Sequence, residues 1–147
     1  LLNVLQRMTA ENRSFEVKDA AALMSQVVEG LRVLHAQSPA IAHRDVKLEN
    51  ILVEDSTGAL KLCDFGSAAV GPQDVSSASS RAVQEEVIEK STTQAYRAPE
   101  MCSQFFGISH LDDKVDRLAT LAQYTRAGRT LKMKTGCRLH TGLGSLH

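Results

Sequence analysis

The segment His43-Arg44-Asp45-Val46-Lys47-Leu48-Glu49-Asn50 brings a carboxylate, an ammonium group and an amide into close succession. Fourteen residues past Asn50 comes Asp64-Phe65-Gly66, and Ala98-Pro99-Glu100 lies further on. Side chains of these types can take up a proton, neutralise an anion and offer oxygen ligands to a hard cation. For any of them alone, plain surface charge would be the simpler account. Their fixed order and spacing set them apart.

The surrounding chain supplies elements able to hold these groups. Leu1, Leu2, Val4, Leu5 and Met8 have helical spacing. A second helix is expected to start at a Ser14 cap, with Glu16 and Asp19 in or near its first turns, where they suit the helix dipole. Its apolar stripe runs through Ala20, Leu23, Met24, Val27, Val28, Leu31 and Leu34, and Gln37-Ser38-Pro39 ends it. Ala40-Ile41-Ala42 reads as a short strand before the polar segment. Ile51-Leu52-Val53 and Leu60-Lys61-Leu62 read as a hairpin about the turn Asp55-Ser56-Thr57-Gly58. That hairpin would set Asn50 and Asp64 on adjacent strands. Gly71-Pro72 breaks any strand, the serine run 76–80 reads as a mobile polar loop, and residues 81–90 as a helical turn or two. A short helix is expected over 101–104, a loop over 105–110, and a further helix through Leu118, Leu121 and Ala122.

Composition bounds the answer. The 147 residues suffice for one modest domain, and 43% hydrophobic residues can build a core. No apolar run is long enough to span a bilayer, and no signal peptide is visible. Cys63, Cys102 and Cys137 are odd in number and fit no zinc spacing, so they read as free thiols in a reducing compartment. The formal charge is zero, yet it is unevenly spread. Residues 1–116 carry 11 basic and 17 acidic side chains, whereas 117–147 carry 6 basic and no acidic ones. The break suggests a boundary between a domain over 1–116 and a divergent basic tail, expected to be poorly ordered. Beyond Tyr124 the tail lacks aromatics that could stack on bases, which argues against a nucleic-acid partner.

In this order, the three blocks resemble the catalytic loop, the metal-binding motif and the end of the activation segment of a protein kinase. Five fixed residues match by chance at a rate on the order of 10⁻⁵ to 10⁻⁴ per chain of this size. The resemblance covers about residues 1–116. It implies an α+β fold, mainly α, forming a partial C-lobe with short β-hairpins. It implies ATP and Mg²⁺ as cofactors and a protein substrate bearing Ser or Thr. Asp45 would accept the substrate hydroxyl proton, and Lys47 would neutralise the transferred phosphoryl group. Asn50 and Asp64 would ligate Mg²⁺. The Thr93 hydroxyl would bond Asp45 and Lys47 and favour Ser/Thr substrates. His43 would be structural, Phe65 would pack under the N-lobe, and Asp116 would brace the catalytic loop. Arg44 would pair with a phosphate or acid in the activation segment, with Ser91, Thr92 and the serine run as candidate phosphosites.

The blocks HRDVKLEN, KLCDFGSA and TTQAYRAPEM are similar to the Numb-associated group of Ser/Thr kinases. That likeness implies a cytoplasmic protein of clathrin trafficking with endocytic adaptor proteins as partners. The chain also departs from the family pattern. No Gly-rich loop or Val-Ala-Ile-Lys block precedes the catalytic loop, so the N-lobe is expected to be absent. Gly142-Leu143-Gly144 reads as a loop. Asp116 is followed by Arg117-Leu118-Ala119 instead of an apolar residue and Trp, and the chain has no Trp. The Arg that pairs with Glu100 in the family has no counterpart. These departures imply a truncated, catalytically incompetent fragment, or alternatively a pseudokinase-like scaffold that binds without catalysing.

Overall fold

The computed structural model describes residues 1–13, 16–102 and 107–116. The expected Ser14 cap, the helix continuation over 103–104, residues 105 and 106, the helix through 118–122, Cys137 and the poorly ordered tail 117–147 lie outside these residues. Helix α1 spans Leu2–Ala10 and α2 spans Val17–His35. The helix α2 starts later than Ser14 would set it. Its N-cap is Glu16, whose side chain and that of Asp19 satisfy each other's backbone N–H groups. The first turns leave several N–H donors without helical partners, and this reciprocal box supplies acceptors for two.

Six short strands form three two-stranded antiparallel pairs among the described residues. β1 (Ile41–Ala42) pairs with β4 (Ala69–Val70), Ile41 opposite Val70. β2 (Ile51–Val53) pairs with β3 (Leu60–Leu62), with Ile51 opposite Leu62. This is the hairpin expected from the sequence, and Gly58, at φ +71°, makes its turn. β5 (Gln73–Asp74) pairs with β6 (His110–Leu111). Gly71 ends β4, as expected, but the chain is extended again two residues later.

The largest difference from expectation is α3, Ala78–Ser91. The serine run is not a mobile loop: Ser77 caps the helix, accepting from the Ser80 N–H at 3.1 Å, while the Ser77 N–H donates to Ser80 Oγ at 3.2 Å. Serines compete for backbone groups in a chain interior, but at a helix start the same hydroxyls satisfy its unpaired donors.

Two apolar clusters hold the molecule. Val27 and Leu31 of α2 pack with Val46 and Ile51, flanked by Leu1, Leu34, Leu60 and Leu62. Ala42, Val75, Ile88, Ala98, Met101, Leu111 and Val115 form the second cluster. Val28 and Val33, by contrast, are exposed, so the buried stripe of α2 is narrower than its sequence pattern. The polar segment 43–50 runs between the clusters: Ala42 enters one and Val46 the other. Its ends are therefore held by independent packing.

Candidate active site

Four of the six polar residues of segment 43–50, His43, Arg44, Asp45 and Asn50, are buried, which is unusual for a loop. The backbone of the segment is pinned by Asp116, which is 0% exposed. Asp116 Oδ2 accepts from the His43 N–H at 2.7 Å and Oδ1 from the Arg44 N–H at 2.8 Å. His35 Nε2, at the end of α2, lies 2.9 Å from Asp116 Oδ2, and its Nδ1 lies 3.5 Å from Asp113. Two buried donors thus meet one carboxylate, which is how a buried loop avoids the cost of unpaired N–H groups. Arg44 is held at φ +68°, a left-handed conformation rare for a side chain of its size.

The next residue, Asp45, is 5% exposed and bound on every side. Its Oδ1 accepts from the Thr93 N–H at 2.8 Å. Its Oδ2 meets Lys47 Nζ at 2.7 Å and Asn50 Nδ2 at 3.1 Å. Lys47 Nζ also donates to the Thr93 hydroxyl at 2.7 Å. Burial pushes the Asp45 carboxyl up. The Lys47 hydrogen bond, the Thr93 N–H and hydroxyl, and the Lys47 charge outweigh it and leave the pKa below its ordinary value. The Lys47 ammonium is pushed up by its hydrogen bond to Asp45, against burial, with the charges of Asp45, Glu49 and Asp64 adding to the rise. Both groups are therefore charged at neutral pH.

Asn50 Nδ2 is spent on Asp45, donating to its carbonyl at 2.9 Å as well as to its carboxylate. Asn50 Oδ1 accepts no hydrogen bond among the described residues. The Cys63 N–H donates to the Asn50 carbonyl at 3.0 Å, which sets Asp64 beside Asn50 across the hairpin base. Asp64 is exposed, with φ +62°, and accepts from the Gly66 N–H at 3.3 Å. An amide oxygen and an exposed carboxylate fit a hard cation that takes its other ligands from water and phosphate. Among the described residues no group of three or more His, Cys, Asp or Glu could hold a metal ion. His43 is buried, with Nε2 3.1 Å from the Cys63 carbonyl oxygen and its ring 5.0 Å from that of Phe65.

A family model described as "protein kinase domain" matches residues 2–119. The chain belongs to the protein kinase family. It is 40% identical over 116 residues to a probable serine/threonine-protein kinase of Dictyostelium discoideum, a match covering 78% of this chain and 14% of that protein. It is 40% identical over 108 residues to actin-regulating kinase 1 of Saccharomyces cerevisiae, covering 72% and 16%. A second actin-regulating kinase of that yeast is 38% identical over 95 residues, covering 64% and 11%. The chain spans about a sixth or less of the length of these curated relatives.

Within the kinase frame, the structure gathers Asp45, Lys47, Asn50 and Thr93 into one hydrogen-bonded group, with Asp64 beside it. The candidate regulatory residues are set apart from that group. Arg44 is buried, and burial lowers its pKa, partly offset by the Asp116 charge. Its guanidinium meets Gln84 Oε1 on α3 at 3.5 Å. Ser91 and Thr92 close α3, their hydroxyls donating to the Val87 and Ile88 carbonyls at 2.6 and 2.7 Å. Phe65 is 48% exposed. Glu100 is half-buried. Cys63 and Cys102 are free thiols. No helix among the described residues is long and apolar enough to cross a membrane.

Sequence reasoning passed over His35, Gln84 and Arg97. His35 follows the last apolar residue of α2, where an end-of-helix cation is the only available signal. Arg97 sits directly before Ala98-Pro99-Glu100, so its motif position was the cue. Gln84 carries no cue at all.

Proposed function

We propose that the chain supplies the catalytic loop, metal ligands and activation segment of a kinase that moves the ATP γ-phosphoryl group to a protein Ser or Thr hydroxyl. The observation that carries this reading is the state of Asp45. Its carboxylate, held below its ordinary pKa, is oriented by three donors: Lys47 and Asn50 from its own loop and the Thr93 N–H from the activation segment. An ionised Asp45 can orient a substrate hydroxyl and take its proton. Lys47 holds positive charge where negative charge would collect. The Thr93 hydroxyl ties that lysine to the activation segment, which supports a Ser/Thr preference. Asn50 and Asp64 would hold Mg²⁺, which supplies charge neutralisation on the ATP phosphates when bound. By the same likeness, substrates and partners are Ser/Thr-bearing proteins of the actin and clathrin-trafficking machinery in the cytoplasm, endocytic adaptors among them. Support for this comes from the resemblance to the Numb-associated group and from the two yeast relatives, whose names speak of actin regulation.

The test is transfer of label from γ-labelled ATP to a mixed-sequence Ser/Thr peptide set. It is run with the 147-residue chain and with the complete product of its gene. Label on Ser or Thr that vanishes in Asp45→Asn is the expected result for the complete product. Nucleotide binding is read separately, as Mg-ATP stabilisation lost in Asp64→Asn; saturation at 100-fold over Kd adds about 2.7 kcal/mol. Transfer that survives Asp45→Asn, or no transfer by the complete product, would overturn the reading.

A further inference from the structure

We infer that Arg97 is a positioning residue that closes the C-terminal end of α3 and thereby sets Thr93 against Asp45. The inference rests on the kinase reading only for its catalytic consequence. A helix leaves its last carbonyls without backbone partners, and a cation placed there both satisfies them and suits the negative end of the dipole. Arg97 does this from outside the helix, five residues past the Thr92 cap. Its Nε donates to the Thr92 hydroxyl at 2.8 Å, and its terminal nitrogen reaches the carbonyls of Ile88 and Thr92 at 3.3 Å and of Glu89 at 3.4 Å. The Thr92 hydroxyl in turn donates to the Ile88 carbonyl. The Ile88 carbonyl also accepts from the Thr92 N–H at 3.0 Å, and the Ser91 carbonyl accepts from the Ser67 hydroxyl, one residue past Asp64-Phe65-Gly66.

The helix end is therefore fastened on one side by Arg97 and on the other by the residue that follows the metal-binding motif. Thr93 is the next residue along the chain. Its N–H, 2.8 Å from Asp45 Oδ1, and its hydroxyl, 2.7 Å from Lys47 Nζ, go where the helix end directs them. The 3₁₀ turn Gln94–Tyr96 begins immediately after, so there is no slack between Thr93 and Arg97. Arg97 touches neither Asp45 nor Lys47 and acts through Thr93 alone. A planar fork with several donors suits this task, and a lysine can satisfy only part of it.

The experiment is amide hydrogen exchange at Thr93 in the 147-residue chain, with the amide of Leu31 in α2 as the report on the whole fold. It needs no turnover, so it stands or falls separately from the kinase reading. Arg97→Ala is expected to lower Thr93 protection about tenfold while Leu31 keeps its own. Arg97→Lys should recover part of it. Arg81→Ala is the comparison, because Arg81 anchors the other end of α3 by donating to the Val75 carbonyl at 2.7 Å; it should leave Thr93 protection in place. In the complete gene product, Arg97→Ala should lower kcat with KM for ATP unchanged. Unchanged Thr93 protection in Arg97→Ala would overturn the inference, and so would an equal loss in Arg81→Ala. Loss of protection at Leu31 in both Arg97 variants would overturn it too, since Arg97 would then be a general stability element.

Discussion

Replacing Asp116 should cost more than replacing any other single polar residue around segment 43–50. Asp116→Ala removes the acceptor for the His43 and Arg44 N–H groups, at 2.7 and 2.8 Å, and for His35 at 2.9 Å. The two N–H groups lie in a loop that is 0% exposed at His43 and 7% at Arg44, so water cannot readily take over. A buried donor left unpaired costs about 1–3 kcal/mol, giving a loss of about 3–5 kcal/mol in all. Relaxation of Arg44 from its left-handed φ of +68°, a conformation that costs about 1–2 kcal/mol, would offset part of that loss. Asp116→Asn keeps one carbonyl oxygen and should cost less, about 1–3 kcal/mol. Urea unfolding followed by far-UV circular dichroism measures both. A loss below about 1 kcal/mol for Asp116→Ala would refute the reasoning, for it would mean that the loop keeps its shape without its acceptor.

The Asp45–Lys47 pair should leave its mark on the pH dependence of stability. The depressed Asp45 pKa gives stability that is present above the unfolded value near 3.9 and is lost as pH falls through the lower folded value. The raised Lys47 pKa gives stability that is present below about 10.4 and is lost as pH rises through the higher folded value. The unfolding difference between the wild type and Lys47→Met should therefore be widest between these limits and narrow outside both, and a difference constant with pH would contradict the pairing. Ser77→Ala should cost about 1 kcal/mol through loss of the α3 cap, with Ser79→Ala much milder; urea midpoints of the two variants decide it, and equal effects would deny Ser77 its capping role.

The parts of the fold legible in the sequence are those where local pattern and local structure coincide. α1, the hairpin β2–β3 and the break at Gly71 follow from spacing and turn chemistry alone. The site residues were legible through motif order, and Asp45, Lys47, Asn50 and Thr93 do converge. α3 was underread because five residues of serine and alanine look like a linker until one notices that Ser77 and Ser80 stand at the spacing of a capping box. The pairing of β5 with β6 was illegible: two-residue strands separated by residues 75–109 carry no period to detect. Val28 was misassigned to the buried stripe because an apolar residue on the stripe's edge looks the same in sequence whether or not a neighbour covers it.

What remains is why the motifs must be spread so far along the chain. Arg44 and Asp64 are both left-handed non-glycine residues, and each stands next to or within the reactive group. Such conformations persist only where the surroundings over-determine them. For Arg44 the restraint comes from Asp116, 72 residues away, and for Asp45 from Thr93, 48 residues away. Neither restraint is available to the loop by itself, and the two arrive from segments packed in the same apolar cluster, to which Ile88, Ala98 and Val115 belong. The reactive geometry is therefore a product of that cluster, and a peptide of residues 43–50 with every motif side chain intact would have no means of holding it.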